Sequence, residues 1–261
     1  MQRLLILMDK LLCRFATNIY PEGEGVRNDL VNFKITKKPL KVIGNGNING
    51  IDTSFYNDNH LTEAQKVQLR GDLSIEPDDF VFLFVGRLVR DKGIGELVSA
   101  FVEICETNKR IKLLLVGNYE DDLDPLPQET VRILESDPNI ITTGFQAEIR
   151  QFYAISNVNV LPSYREGFPN VVMQAGAMGL PSIVTNISGS NEIIVDRENG
   201  LIVPSKDVQA LKEAMQSVID DRELLQHLTL NSRRAIVSRY DQQELWQAVL
   251  AEYKRLETAR S

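Results

Sequence analysis

The sequence has little of what many catalytic sites and all helical membrane spans require. Its 261 residues include only two histidines, two cysteines and one tryptophan, and no apolar run approaches the roughly 18–20 residues of a membrane span. Cys13 and Cys105 stand alone in apolar surroundings without metal-type spacing, which predicts buried thiols in a reducing compartment. With only His60 and His227 and no carboxylate cluster of ligand type, neither a metal site nor a Ser-His-Asp triad can be assembled. We therefore expect a site without metal.

Charge is distributed unevenly along the chain. The net charge is −7, yet residues 1–50 carry eight Lys or Arg against four Asp or Glu, so the remainder is strongly acidic. The acidic majority argues against a nucleic-acid partner. The basic segment fits either a solvated patch or a peripheral contact with an anionic membrane surface. Residues 1–15 are too interrupted by charge for a signal peptide and predict an amphipathic helix, so we expect a cytoplasmic protein, peripheral at the inner membrane face if that contact is made.

From residue 77 onward, short apolar runs alternate with helical stretches. This alternation predicts βαβ units and an α/β fold, a Rossmann-like doubly wound parallel sheet with C-terminal helices. The predicted strands are 80–85, 112–116, 140–142, 158–161, 182–184 and 200–203. The predicted helices in this region are 95–106, 169–178, one with an apolar stripe from 208 to 218, 223–237 and 242–257. A ligand of such a sheet binds beyond the carboxyl ends of the strands.

The first 61 residues do not suffice for a complete domain. They offer the opening helix, a second helix at 25–33, a strand at 40–43 and the turn GNGNING at 44–50. The turn superficially resembles a dinucleotide fingerprint, but no helix starts at its last glycine, so a hinge turn is favoured. Thr62 and Gln65 form a capping box that begins the next helix.

The most informative stretch is SYREGFPNVVMQAGAM, residues 163–178. Glu166 precedes a turn, Gly167 to Asn170, in which Pro169 suits a first helical turn. The unpaired N–H groups and the positive dipole end of the helix make an anion site. A carboxylate just before it predicts a ligand with hydroxyls at one end and phosphate at the other, such as a nucleotide sugar. The alternative is a carboxylate that only complements the helix dipole.

A second stretch, FVGRLVRDKGIGELVSAF at 84–101, carries two cations. Arg87 and Lys92 flank a loop between a strand and a helix, where both can reach one diphosphate. Fixed cations stabilise the charge that develops on a nucleoside diphosphate as the sugar leaves, so these residues are catalytic candidates. The alternative is a pair of surface salt bridges of little worth.

These two motifs, in this order and about eighty residues apart, resemble the donor-binding signature of retaining GT-B glycosyltransferases, glycosyltransferase family 4 or glycosyl transferases group 1. The resemblance implies that Glu166 accepts hydrogen bonds from sugar hydroxyls and that the backbone of Gly167, Phe168, Pro169 and Asn170 lines the sugar and phosphate. The second acidic position of the signature, eight residues after Glu166, is occupied here by Gln174. Because an amide binds ribose through neutral hydrogen bonds, we expect weaker nucleotide binding, with a silenced site as the alternative.

The resemblance also places the nucleotide base. Gly144 and Phe145 follow the third predicted strand, where the family seats the base, and Gly117 and Asn118 follow the second. An ordinary turn between strand and helix explains these residues equally well.

The resemblance further implies three parts. Residues 1–61 are a remnant of the N-terminal acceptor lobe and hinge, 62–238 form the donor-binding lobe, and 239–261 form a helix that crosses back to the first lobe. Trp246 is interpreted as ordinary core, the alternative being an anchor on that other lobe. Most of the acceptor lobe is then missing from the chain, and it becomes an expected partner.

The implied activity is retaining, metal-independent transfer of a hexosyl group from a UDP-sugar to a glycan or lipid-linked acceptor. Such transfer builds bacterial surface polysaccharide, including lipopolysaccharide, and needs no cofactor beyond the nucleotide-sugar substrate. Two alternatives stay open: a nucleotide-sugar-binding module without turnover, and another GT-B activity such as a phosphorylase or an epimerase.

Overall fold

A computed structural model describes residues 2–120, 122 and 124–259 of the chain. In this part, six parallel strands form one sheet in the order β3-β2-β1-β4-β5-β6. The strands are β1 Phe80–Val85, β2 Ile111–Val116, β3 Ile140–Thr142, β4 Val158–Leu161, β5 Ser182–Thr185 and β6 Gly200–Val203. The order of the strands reverses between β1 and β4, which is the switch point of a doubly wound sheet. The predicted α/β fold is confirmed, with strand ends within one residue of the prediction.

Helices cover both faces of the sheet. The α-helices of the described residues are α1 Gln2–Phe15, α2 Glu24–Asn32, α3 Glu63–Asp72, α4 Ile94–Cys105, α5 Gln128–Ser136, α6 Arg150–Ala154, α7 Asn170–Ala177, α8 Ser190–Ile193, α9 Val208–Asp220, α10 Arg222–Tyr240 and α11 Gln242–Thr258. The capping box at Thr62 and Gln65 is present at the start of α3, as predicted.

The central strand β1 shows why the sheet must be covered twice. Successive side chains of a strand point to opposite faces. Phe82 and Phe84 belong to the core on the face that carries α4 and α9, whereas Val81 and Leu83 belong to the core shared with α6 and α7. Because both sets are buried, an unbroken apolar run is the sequence that this strand needs.

The strand predicted at residues 40–43 is wrong. Only Leu40 pairs, through a single parallel bridge to Ile19. Pro39 supplies no N–H for a ladder, and the glycine-rich turn begins at Gly44. The segment is an extended connection between α2 and the hinge turn.

The first and last helices leave apolar side chains uncovered. The amphipathic helix predicted for residues 1–15 is α1, and its exposed apolar side chains are Leu4, Leu5, Leu7, Met8, Leu11, Leu12 and Phe15. Cys13 of this helix and Cys105 of α4 are buried free thiols, as predicted. Trp246 on α11 is 56% exposed, so its interpretation as a core residue is wrong. Across the residues described, none of the helices has the length and apolar character to span a membrane.

Helix α11 is fixed to the first segment through one buried carboxylate. Glu252 accepts hydrogen bonds from Tyr20 Oη at 2.8 Å and from Lys41 Nζ at 2.5 Å, and Arg255 pairs with it from one turn further along. These donors, Arg255 first, hold the pKa of Glu252 well below its usual range. The contact ties the C-terminal helix to residues that precede the hinge turn.

Candidate functional site

The site lies where the chain leaves β1 and β4, the two neighbouring strands at the switch point. The loop after β1 ends at Gly93, whose φ is +71°, and a Cβ on this residue would lie 2.2 Å from the carbonyl oxygen of Pro162 in the loop after β4. Only glycine permits both the left-handed conformation and this close approach. The two loops therefore pack directly on each other, and each carries one of the two sequence motifs.

The contact between the motifs is an ion pair. Lys92 Nζ lies 2.6 Å from Glu166 Oε1, and the two side chains are only 17% and 14% exposed. Ser163 Oγ donates to the same oxygen at 2.7 Å. One residue from each sequence motif is therefore in direct contact with the other. A cation suited to phosphate and a carboxylate suited to sugar hydroxyls are adjacent and partly shielded from water.

Arg87 lies in the same loop after β1 as Lys92 but has a different partner. Its Nη1 is 2.6 Å from Glu120 Oε2, and about half of its side chain is exposed. The Glu120 hydrogen bond, followed by the nearby carboxylates of Asp91 and Glu166, raises the pKa of Arg87 above its usual value. An exposed pair of this kind is weak, so Glu120 is a partner that an incoming phosphate can replace. Within the described residues, the two cations form ion pairs with different carboxylates, Arg87 with Glu120 and Lys92 with Glu166.

A cavity of about 450 Å³ adjoins Arg87 at the carboxyl ends of β1, β2 and β3. Its lining residues are Val85, Gly86, Arg87, Val116, Gly117, Asn118, Glu120, Phe145, Gln146 and Ile149. Three of the four residues predicted near the base, Gly117, Asn118 and Phe145, thus face one cavity. Gly144 is not among the lining residues, but its carbonyl oxygen accepts a hydrogen bond from the backbone N–H of the lining residue Gly117 at 2.9 Å.

The wall formed by Phe145 is held by one side-chain hydrogen bond. Asn118 Oδ1 accepts from the backbone N–H of Phe145 at 2.8 Å, and the Phe145 ring remains 72% exposed. An exposed aromatic face fixed at the rim of an apolar cavity can stack on a flat ring such as a nucleobase.

The turn from Gly167 to Asn170 connects the site to the glycine-rich turn at 44–50. Pro169 is the N-cap of α7, with ψ of 105°, so the helix begins at Asn170, one residue later than predicted. The Phe168 side chain is core and packs edge-on against Tyr240 at 5.5 Å. Asn170 Oδ1 accepts from Asn47 Nδ2 at 2.9 Å. Asn47 belongs to the glycine-rich turn at 44–50, which is a turn as predicted.

Gln174 is engaged by two tyrosines. Its Nε2 donates to the hydroxyl of Tyr56 at 2.8 Å. Its Oε1 shares the hydroxyl of Tyr153, at 3.3 Å, with the carbonyl oxygen of Val171, which lies at the same distance. Burial raises the pKa of Tyr153 well above its usual value, so this hydroxyl stays protonated and remains a donor. The ribose contact expected of Gln174 stays a prediction. Any such contact shares the amide with these two hydroxyls.

Sequence reasoning missed four residues of this region. They are Asn47, Tyr56, Tyr153 and Ser163. Ser163 could have been found, because it stands three residues before Glu166 at the end of a predicted strand. The other three come close only through long-range packing. No group of three or more His, Cys, Asp or Glu side chains in the described ranges is placed to hold a metal ion.

Residues 65–235, about two thirds of the chain, match the family model described as glycosyl transferases group 1. The chain belongs to the glycosyl transferases group 1 family. The match includes Lys92, Glu166 and the residues of the adjoining cavity.

Two curated members of the family show the extent of the similarity. The capsular polysaccharide biosynthesis glycosyltransferase CapM of Staphylococcus aureus is 31% identical over 95% of this chain and 64% of its own length. A galactosyltransferase of Escherichia coli, UDP-Gal:alpha-D-GlcNAc-diphosphoundecaprenol alpha-1,3-galactosyltransferase, is 30% identical over 65% of this chain and 44% of its own length. The chain thus spans about half to two thirds of the length of these relatives.

The fold has solved counterparts. The crystal structure of Anabaena Alr3699/HepE in complex with UDP and glucose aligns with a TM-score of 0.84 over 98% of this chain and 68% of that one, at 21% identity. At this level of identity the likeness concerns the architecture, a GT-B glycosyltransferase fold.

Proposed function

We propose that this chain is the donor-binding lobe of a retaining glycosyltransferase that transfers a hexosyl group from a UDP-sugar to a glycan or lipid-linked acceptor. The observation that carries the proposal is the contact between Lys92 and Glu166, 2.6 Å apart at the switch point of the sheet. It brings together a cation for the diphosphate and a carboxylate for the sugar, next to a cavity large enough for a nucleoside. CapM supports polysaccharide synthesis as the process, and the name of the E. coli galactosyltransferase supports a UDP-sugar donor and a lipid-linked acceptor. Bacterial surface polysaccharide, including lipopolysaccharide, is the product that we propose.

The residues take distinct roles in this proposal. Lys92 and Arg87 neutralise the charge that grows on UDP as the glycosidic bond breaks, so the reaction needs no metal. Glu166 holds the sugar through its hydroxyls. The amides at the start of α7 face the phosphates, and the turn from Gly167 to Asn170 lines the sugar. Retention follows from attack on the face from which UDP leaves, through an oxocarbenium-like state.

The base and ribose are assigned to the adjoining cavity and to α7. Phe145 stacks on the base, with Gly117, Asn118 and Gly144 shaping the cavity wall. Gln174 contacts the ribose with the remaining hydrogen-bonding capacity of its amide.

The acceptor is assigned to a lobe of which residues 1–61 form the last part. The donor lobe is then 62–238, and 239–261 is the returning helix. The uncovered apolar side chains of α1 and α11, including Trp246, are suited to packing against that lobe. We assign the protein to the cytoplasm, with the basic residues of the first segment in peripheral contact with the inner membrane face.

Titration calorimetry tests the proposal on the 261-residue chain. UDP should bind weakly but at least tenfold more tightly than uridine, because the diphosphate reaches Lys92 and Arg87. Equal affinity for the two ligands, or no binding of either, refutes the proposal. With UDP-glucose and a membrane extract as acceptor source, the chain alone should release little or no UDP. Robust acceptor-dependent release of UDP by the chain alone would show that the acceptor site does not belong to a separate lobe.

A second candidate is a nucleotide-sugar-binding module without turnover. It is favoured by Gln174, whose amide already serves two tyrosine hydroxyls. If this module is the function, UDP release in the membrane-extract assay should remain at the level of Lys92→Met even after the chain is supplied with a separately expressed first lobe. Release above that level would favour the transferase.

A further inference from the structure

We infer that Ser163 is a positioning residue of the donor site, which holds one oxygen of Glu166 so that the other is available to sugar hydroxyls. The inference rests on the proposed function, because it deepens the role of Glu166. Both hydrogen bonds that Glu166 accepts from side chains of the described residues end on Oε1, one from Lys92 at 2.6 Å and one from Ser163 at 2.7 Å. Oε2 is therefore left for a ligand.

The Ser163 hydroxyl is built into the sheet. Ser163 is 0% exposed and follows β4 by two residues. Its carbonyl oxygen accepts from Thr185 Oγ1 at 2.5 Å, and Thr185 ends the neighbouring strand β5. Two strands thus fix the backbone of Ser163. A buried hydroxyl without a partner is costly, so its proton is kept on Glu166.

The two donors to Glu166 respond differently to a ligand. Lys92 is a flexible ammonium that is attracted by the diphosphate, so a bound nucleotide shares it or draws it away from Glu166. The Ser163 hydroxyl cannot move toward the diphosphate in the same way, because Ser163 is fully buried. In the ligand-bound protein, Ser163 is therefore the donor that keeps the carboxylate in place. Its removal should affect the sugar part of the donor and spare the UDP part.

Calorimetry with four ligands tests this separation. Affinities of wild type and Ser163→Ala are measured for UDP, UDP-glucose, UDP-galactose and UDP-N-acetylglucosamine. We expect at least one UDP-sugar to bind the wild type more tightly than UDP. We expect Ser163→Ala to reduce that preference about tenfold, the lower end of the effect of one hydrogen bond to a charged group, while its affinity for UDP changes less than twofold.

Ser182→Ala is the matched control. Ser182 is also a buried serine whose hydroxyl has one hydrogen-bond partner, Asn159 Nδ2 at 3.1 Å, but it stands at the amino end of β5, away from the site. It should leave the preference unchanged. If thermal melts show that Ser163→Ala does not fold, Ser163→Cys replaces it, since a thiol keeps the shape but is a weak donor.

The outcomes separate the two claims. A Ser163 variant that keeps the full preference for the UDP-sugar overturns the inference and leaves the proposed function standing. Wild-type protein that binds UDP but gains nothing from any of the three sugars also overturns the inference alone. Wild-type protein that binds none of the four ligands overturns the proposed function, and the inference with it.

Discussion

Two substitutions in one ion pair are expected to change the affinity for UDP in opposite directions. Lys92→Met keeps the length of the side chain and removes the positive charge that a diphosphate would meet. Glu166→Gln keeps an acceptor oxygen for Ser163 but removes the negative charge that pairs with Lys92. The first change should weaken UDP binding, and the second should strengthen it.

The expected magnitudes follow from the geometry. A hydrogen bond to a charged group contributes about 1.5–3 kcal/mol net. Because UDP must share Lys92 with Glu166, which lies 2.6 Å away, the lower half of that range applies to Lys92→Met. A loss of about 1.5–2 kcal/mol corresponds to roughly 10- to 30-fold weaker binding. For Glu166→Gln, a neutral acceptor binds Lys92 about 1 kcal/mol less strongly, which corresponds to roughly fivefold tighter UDP binding.

Titration calorimetry at fixed ionic strength measures both effects, since partly exposed charges are screened by salt. Lys212→Met is the control, because Lys212 Nζ also pairs with a glutamate, Glu103 at 2.8 Å, but on the outer helices α9 and α4. It should not alter UDP affinity. Equal affinities for Lys92→Met and Lys212→Met would refute the diphosphate role. Weaker UDP binding by Glu166→Gln would refute the competition between Glu166 and the ligand for Lys92.

Three further outcomes are expected. Gln174→Glu should tighten UDP binding about tenfold, because charge-assisted bonds to ribose replace neutral ones; an unchanged dissociation constant removes this position from the site. The pKa of Glu252 is lowered in the folded protein, so its ionised carboxylate stabilises the fold at pH values above the pKa of about 4.3 that it has in the unfolded chain, and this stabilisation is lost as the pH falls below that value. The melting temperature of wild type should therefore exceed that of Glu252→Gln by less at pH 3.5 than at pH 7. A difference that stays constant with pH would contradict an ionic origin of the stabilisation. In denaturant melts, Gly93→Ala should lower the free energy of unfolding more than Gly179→Ala does. Gly179 has a similar φ of +81°, but no atom lies within 4 Å of an added Cβ. Equal losses would show that the contact with Pro162 adds no cost to that of the backbone conformation.

Much of the fold could be predicted from the sequence because the signal is local. Strand β1 reads Phe-Val-Phe-Leu-Phe-Val and is buried on both faces. An unbroken apolar run, without alternating polar residues, therefore predicts this strand. The stripe Leu211, Met215 and Val218 on α9 is buried, as its helical spacing indicated. The segment 40–43 has the same apolar character, yet it forms one bridge only. A strand exists only where a neighbour pairs with it, and a single sequence does not show the neighbours.

The candidate site was predictable to the extent that it depends on strand ends. Residues that follow parallel strands meet at one edge of the sheet, which is why Lys92 and Glu166, 74 positions apart, could be expected together. The partners of Gln174 could not be expected in the same way. Tyr56 lies 118 positions away and belongs to no regular element, so its hydroxyl reaches the amide only through tertiary packing. Trp246 shows the converse, an aromatic residue whose exposure depends on what covers α11.

The hinge segment and the donor site share hydrogen bonds, and this has an energetic consequence. Asn47 in the glycine-rich turn bonds to Asn170 at the start of α7, and Tyr56, beyond the turn, bonds to Gln174, about one turn further along the helix. Groups that bond directly do not contribute independently to stability or binding. In the proposed function, helix α7 therefore serves both the phosphates, through its first amides, and the hinge, through two side chains. A substitution in the hinge that breaks either bond is expected to change the affinity for UDP even though the hinge touches no ligand, because the helix that binds the phosphates is positioned by it.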